Sequence, residues 1–280
     1  MEPLRFNNIY LGDAKDILPR VEDESVDLIM TSPPYAEKRK KSYGGIPENE
    51  YIDWFMPIAR EFKRVLQPKG SFVLNIKEGA NVQRETYVIE LILELKRQGW
   101  LWTEEYIWYK TASMPGKWPN RFRDSWERCL HFTKNKKFNM YQDSVRVPIG
   151  DWSKTRLNNL KSYDKKRTIS ASKSGLGRKV MNWKGRDLVY PDNVLKFAPV
   201  CKNMRHSAAY PKELPLWFIK LFTKKGDIVL DPFIGSGTTG LACLESNRNF
   251  IGMEIKRKYF NLANKNIQLE QQRLINDEKK

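Results

Sequence analysis

One stretch constrains the fold more than any other: Gly226-Asp227-Ile228-Val229-Leu230-Asp231-Pro232-Phe233-Ile234-Gly235-Ser236-Gly237-Thr238-Thr239-Gly240. It reads as a strand, a glycine-rich turn, and a helix beginning near Thr238. Small residues let a ligand approach the backbone, and a helix N-terminus adds unpaired N–H groups. This hand-over is characteristic of open α/β sheets, whose ligands lie at the carboxyl ends of the strands.

The chain before it fits the same plan. Asn8 to Leu11 is strand-like, Gly12-Asp13 a turn, and Ala14 to Leu18 a brief helix. Val26 to Met30 is an apolar run broken only by Asp27. Trp54, Phe55, Ile58, Phe62, Val65 and Leu66 recur at helical spacing over Tyr51–Leu66, where Pro57 predicts a kink or a later start. Pro68-Lys69-Gly70 ends that helix, and Ser71 to Ile76 is a buried strand. Glu85 to Gln98 is a helix with Val88, Ile89, Ile92, Leu93 and Leu95 inward, stopped by Gly99. Trp100–Tyr109 and Trp126–Thr133 are further apolar stretches. The alternation predicts an α/β fold with a doubly wound, mostly parallel sheet.

Charge narrows the partners. Lys and Arg number 50 against 33 Asp and Glu, a formal net charge of +17 over 280 residues. Such a field attracts polyanions, nucleic acid first. The cations concentrate in a polar stretch poor in aliphatic residues: Lys154, Arg156, Lys161, Lys165, Lys166, Arg167, Lys173, Arg178, Lys179, Lys184 and Arg186. This reads as an insertion with little core of its own, either DNA-binding or a solvated loop that orders on binding. Trp152 and Trp183 within it suit base stacking, duplex wedging or small-core packing equally. Three dispersed cysteines and two histidines argue against a metal site or a disulfide framework. With no membrane-spanning or targeting segment legible, a cytoplasmic protein with no membrane partner is expected.

Two candidate sites emerge. Thr31-Ser32-Pro33-Pro34-Tyr35 follows the Val26–Met30 strand, which Pro33 and Pro34 must end. The stiff loop can hold an exocyclic amino group between the Ser32 hydroxyl and the Pro33 carbonyl, with Tyr35 stacked on the ring. A flipped nucleobase needs such chemistry. The polar, glycine-containing Ala36–Glu48 stretch then stands where a lid would be. The second site is the glycine turn. Gly235, Gly237 and Gly240 match a dinucleotide pattern that also suits nicotinamide or flavin enzymes. Asp231 at the turn's mouth favours a cationic ligand over a pyrophosphate. Glu254 follows the glycines more closely than the roughly twenty residues of the dinucleotide fingerprint. S-adenosylmethionine, with a ribose, an ammonium and a sulfonium but no phosphate, fits.

Together, Thr31-Ser32-Pro33-Pro34-Tyr35 and Asp231-Pro232-Phe233-Ile234-Gly235-Ser236-Gly237-Thr238-Thr239 resemble the amino-group DNA methyltransferases of bacterial restriction–modification systems. With the catalytic loop first, the cofactor loop last and a basic segment between, the order is similar to the circularly permuted β class. Gly12-Asp13 stands where that family contacts the cofactor adenine. His206-Ser207-Ala208-Ala209-Tyr210-Pro211 resembles the motif closing over the methionine end, and Ile107–Lys110 and Glu127–Phe132 resemble base-pocket motifs.

The resemblance implies a Rossmann-like fold, S-adenosyl-L-methionine as cofactor and double-stranded DNA as substrate. Ser32, Pro33, Pro34 and Tyr35 are then catalytic. Asp13, Thr31, His206, Pro211, Asp231, Pro232, Phe233, Gly235, Ser236, Gly237, Thr238, Thr239 and Glu254 bind the cofactor. The amino nitrogen takes the sulfonium methyl in one in-line step, with no cysteine nucleophile. Serine at position 32 is associated in this family with N4 of cytosine, whereas Asp or Asn more often accompanies N6 of adenine. The implied organisation is 1–140 catalytic half, 141–200 basic target-recognition insertion and 201–280 cofactor-binding half. The competing readings are an RNA or protein-amide methyltransferase, a non-catalytic nucleic-acid binder and a nicotinamide oxidoreductase. A cognate restriction endonuclease, and the choice of monomer or homodimer, are open at this point.

Overall fold

Two strands carrying the candidate loops, β2 (Val26–Thr31) and β9 (Ile228–Asp231), lie side by side in parallel, with Ile29 opposite Leu230. The computed structural model that shows this describes residues 4–36, 45–79, 83–112, 115–117, 119–162, 184–200 and 210–278. These divide into two compact units, 1–141 with 193–280, and 142–192.

In the larger unit the chain runs through β1 (Asn8–Leu11), α1 (Ala14–Ile17), β2, α2 (Tyr51–Val65), β3 (Leu66–Ile76), α3 (Tyr87–Arg97), β4 (Leu101–Lys110) and β5 (Trp126–Thr133). After the smaller unit it continues with β8 (Val194–Phe197), α5 (Glu213–Phe222), β9, α6 (Thr238–Glu245), β10 (Asn249–Glu254) and α7 (Arg257–Glu278). The eight strands are ordered β1-β10-β9-β2-β3-β5-β4-β8. All neighbours are parallel except β5, which is antiparallel to β3 and to β4. From β9 the chain proceeds to β10 on one side, and from β2 to β3 on the other. Their shared boundary is the topological switch point, where α/β sheets bind ligands.

Alternation along the strands explains the two covered faces. Ile29, Phe72, Leu74, Leu130 and Phe132 join Phe55, Ile58 and Phe62 of α2 and Val88, Leu91 and Leu95 of α3 in one buried cluster. The opposite phase meets α5, where the Phe222 ring lies 4.4 Å from that of His131. Asp27, the polar break in the β2 run, accepts from the Ile228 amide at 2.9 Å and so ties β2 to the start of β9.

Three helical expectations need correction. Pro57 lies inside α2, which starts at Tyr51, so the later start is the alternative that falls. Burial of Tyr51, Phe55, Ile58 and Phe62 on one stripe outweighs the single lost amide donor. Ile89 and Leu93 point outward, 57% and 46% exposed, because the buried stripe of α3 is Val88, Leu91, Ile92 and Leu95. Pro68-Lys69-Gly70 falls within the long strand β3, inside the register shift opposite Asp27.

The smaller unit holds a two-stranded ribbon, β6 (Val147–Pro148) with β7 (Leu188–Val189), and helix α4 (Asp151–Asn158). Among its described residues, Val145, Ile149 and Leu160 are buried. Val194–Phe197, within the span expected to be inserted, is instead the edge strand β8 of the main sheet, pairing with β4.

Candidate active site

The sequence brings two rigid turns to one place. Pro33 and Pro34 stop β2. The hydroxyl of Tyr51 from α2 donates to the Pro34 carbonyl at 2.9 Å, and the hydroxyl of Tyr87 from α3 donates to the Lys77 carbonyl at 2.5 Å. The two tyrosine rings pack with centroids 4.6 Å apart, so the loop rests on a buried aromatic floor. On the other side, Gly235 and Gly237 take positive φ of 57° and 91°, which only glycine adopts without cost, and α6 begins at Thr238.

A cavity of about 750 Å3 opens over both turns. Ser32, Pro33, Pro34, Tyr35, Asp13, Pro232, Phe233, Gly235, Ser236, Thr238 and Glu254 line it. Thr31, Asp231, Gly237, Thr239 and Pro211 are not among the lining residues. His206 lies outside the described residues.

Asp231 is 1% exposed and surrounded by donors. One oxygen accepts from Thr31 Oγ1 at 2.7 Å and from the Phe233 amide at 3.1 Å. The other accepts from Thr239 Oγ1 at 2.5 Å and Tyr210 Oη at 3.2 Å. Burial still pushes the Asp231 carboxyl above its ordinary range, against the pull of these donors. The carboxylate thus stands behind the turn and holds it, rather than opening into the cavity.

Glu254 and Asp13 occupy neighbouring strand ends, since Leu11 pairs with Glu254 and the Gly12 amide donates to the Glu254 carbonyl at 3.0 Å. Asp13 also caps α1 through the Lys15 amide at 2.9 Å. Glu254 is 3% exposed and accepts from the Lys256 amide at 2.7 Å. Burial raises its carboxyl to about 7. This half of the cavity therefore offers two carboxylates beside a glycine turn, with the Trp54 and Phe233 rings 5.6 Å apart. These acceptors and rings suit ribose hydroxyls, an ammonium and a flat adenine, so the residues present fit S-adenosylmethionine.

The other half holds Lys110 and Glu127, from the two segments that resemble base-pocket motifs, together with Asn75, Lys77 and Asp124, to which the sequence assigns no role. The Tyr35 hydroxyl donates to Glu127 Oε2 at 2.7 Å and lies 3.3 Å from Asn75 Oδ1. Ser32 Oγ donates to Tyr35 Oη over 3.4 Å. Lys110 Nζ pairs with Glu127 Oε1 at 2.5 Å. Burial, then the Glu127 charge, pushes the Tyr35 hydroxyl well above its ordinary value, so it stays a donor. Lys77 donates to the Trp126 carbonyl at 2.8 Å and lies 3.6 Å from Asp124. Burial pulls its ammonium down. Burial also pushes Asp124 up, but Arg84, Lys77 and Arg121 together hold it below its ordinary value. The available signal was the resemblance of their segments to base-pocket motifs: Glu127 is the second residue of β5 and Lys110 the last of β4, and only their pairing was not legible.

In the smaller unit Lys154, Arg156, Lys161, Lys184 and Arg186 are exposed. Lys165, Lys166, Arg167, Lys173, Arg178, Lys179 and Trp183 lie outside the described residues, as does the side chain of Trp152. The span expected to form a lid is described only at its ends, since residues 37–44 also lie outside.

A mostly parallel sheet with one cavity over two loops at its switch point is the architecture of the Rossmann-like class. The chain belongs to the DNA methylase family of N6/N4 amino-methyltransferases, which it matches over residues 26–265. It is 31% identical over 277 residues to the type II methyltransferase M.PvuII of Proteus hauseri, covering 90% of this chain and 81% of that one. It is 28% identical to the DNA adenine methyltransferase YhdJ of Escherichia coli, covering 94% and 84%. Its fold matches the solved PvuII DNA methyltransferase (cytosine-N4-specific) with a TM-score of 0.70 at 24% identity, over 98% and 94% of the two chains. The chain is thus a DNA methyltransferase, and S-adenosyl-L-methionine is the methyl donor of the family. The nicotinamide reading of the glycine pattern falls with that membership. Among the described residues no helix is long and apolar enough to cross a membrane.

Proposed function

We propose that this chain methylates the exocyclic N4 amino group of a cytosine flipped out of duplex DNA at a specific sequence. One observation carries the reading: the Ser32-Pro33-Pro34-Tyr35 loop and Gly235, Ser236 and Thr238 of the glycine turn line one cavity. The Ser32 hydroxyl and Pro33 carbonyl accept the amino hydrogens, and the Tyr35 ring stacks on the base. Glu127, paired with Lys110, takes the Tyr35 hydroxyl and sets the ring's orientation. When bound, S-adenosylmethionine supplies the sulfonium methyl that the amino nitrogen takes. Glu254 receives the ribose, Asp13 and Phe233 flank the adenine, and Pro232, Gly235, Ser236 and Thr238 border the methionine end. Thr31, Asp231, Gly237 and Thr239 hold that turn from behind, and His206 and Pro211 close the site. Acceleration then rests on positioning and preorganised acceptors.

Serine at position 32 and the similarity to a cytosine-N4-specific enzyme favour cytosine. The similarity to an adenine methyltransferase supports N6 of adenine as the second reading. The exposed cations of the 142–192 unit suit phosphate contacts, so that unit is assigned target recognition, with the flanking segments as catalytic and cofactor halves. The setting is a cytoplasmic restriction–modification system, in which a cognate endonuclease is a candidate partner and the methyltransferase acts as a monomer or homodimer.

The test is methylation of mixed-sequence duplex DNA with labelled S-adenosylmethionine, followed by digestion and mass spectrometry of the nucleosides. N4-methylcytosine is expected. N6-methyladenine would replace the base assignment and keep the class. Labelled RNA or protein in place of DNA would overturn the substrate.

A further inference from the structure

Phe122 is 95% exposed, more than any other large apolar side chain among the described residues. It lies in Pro119-Asn120-Arg121-Phe122-Arg123-Asp124-Ser125, between two arginines and just ahead of β5. Single exposed apolar side chains are common and need no explanation. The position of this one is what matters. Arg121 and Asp124 line the same cavity as Ser32 and Tyr35. Asp124 is held by Arg84 at 2.8 Å, Arg121 at 3.4 Å and Lys77 at 3.6 Å, and the Lys110 amide donates to the Ser125 carbonyl at 2.7 Å. The segment is thus pinned to the cavity wall on one side of Phe122, while the ring projects into solvent.

A pocket that receives a base taken from a duplex leaves a hole in the stack. Filling that hole needs a flat or apolar group that is anchored beside the pocket, exposed before binding and flanked by positive charge for the phosphates. We propose that Phe122 is that group: a wedge entering the duplex at the place of the extruded base, with Arg121 and Arg123 drawing the segment to the backbone. The inference rests on the reading of the substrate as a base within duplex DNA.

The experiment first maps the methylated site of the wild-type enzyme by sequencing treated duplex DNA. Duplexes are then built with the target base either normally paired or opposite an abasic position, which removes most of the cost of extrusion. F122A is expected to lower kcat/KM on the paired duplex by roughly tenfold or more, the size of one aromatic stacking contact. It should lose much less on the abasic duplex, and F122W should retain activity on both. Equal losses on both duplexes would overturn the wedge, as would no loss on either. A change in self-association by sedimentation, with the paired-to-abasic ratio unchanged, would assign the ring to contact with a second copy and overturn it too. Wild-type enzyme that methylates only single strands would remove the duplex reading itself, and with it the wedge; that failure is read without any variant.

Discussion

Thr31 Oγ1 donates to Asp231 Oδ1 across 2.7 Å, joining the last residue of β2 to the last residue of β9. The Ser32–Tyr35 loop starts one residue after the first, and the glycine turn one residue after the second. Tyr210 and Thr239 complete the shell around the same carboxylate. A buried carboxylate with four donors is stiff, because any movement leaves a charge without a partner in low dielectric. The two halves of the site are therefore set in register by a group that does not line the cavity.

Replacing Thr31 by Val tests that register. The methyl keeps the packing and removes one donor from a buried carboxylate. Stability should fall by about 1–3 kcal/mol, the cost of a lost bond to a buried charged group. Thr31→Ser should restore most of it. Urea unfolding midpoints measure the first effect, and calorimetric titration with S-adenosylmethionine measures the accompanying loosening of the cofactor turn.

Tyr35 separates two contributions. Tyr35→Phe keeps the ring and removes the hydroxyl that Glu127 holds at 2.7 Å. KM for DNA should stay within about threefold, while kcat falls by roughly tenfold or more, the worth of one hydrogen bond to a charged group. Tyr35→Ala also removes the stacking face, so KM should rise by about tenfold as well. A steady-state kcat and KM split on one defined duplex distinguishes them. Equal changes for Phe and Ala would assign Tyr35 a purely structural part.

Gly237 has φ of +91°, and a Cβ there would meet Ala263 Cα at 3.3 Å. Gly237→Ala would combine backbone strain with a close approach between α6 and α7. A loss of about 1–2 kcal/mol is expected, with weaker cofactor binding because the turn is displaced. Thermal unfolding with and without cofactor checks both: the stabilisation given by saturating ligand should shrink in the variant.

Proline and glycine made the two loops legible. Pro33-Pro34 must end a strand, and Gly235-Ser236-Gly237 must turn, whatever surrounds them. Asp231 was legible as present but not in its orientation. Whether a strand-end carboxylate faces a ligand or its own turn depends on Thr31 and Tyr210, 200 and 21 residues away in the chain. The segments holding Lys110 and Glu127 were legible through their resemblance to base-pocket motifs, but their contacts around Tyr35 were hidden for a similar reason. Glu127, Lys110 and Asn75 meet only because β5 runs antiparallel between β3 and β4, placing Cys129 opposite Asn75 and Glu127 opposite Trp108. No local periodicity encodes that pairing. Ile89 and Leu93 show a related limit, since α3 carries apolar residues on two stripes and only packing against α2 selects one.

Glu254 gives the pH dependence. Burial raises its carboxyl from 4.5 to about 7. In the unfolded chain it ionises near 4.5, so between there and about 7 the native state holds a proton that the unfolded state has released. Stability therefore falls as pH rises through that window and levels off above it. The shift amounts to about 3 kcal/mol at most. Glu254→Gln removes this slope, so its unfolding midpoint should gain on wild type as pH goes from about 5 to 8. Cofactor binding should move the other way. On the proposed reading ribose hydroxyls would donate to the ionised carboxylate, so wild-type affinity should drop as pH falls below about 7, approaching tenfold per unit. In Glu254→Gln it should be weaker and nearly flat. Calorimetric titrations with S-adenosylmethionine at pH 5.5, 6.5 and 8 read this directly, and parallel pH profiles for the two proteins would remove Glu254 from the ribose site.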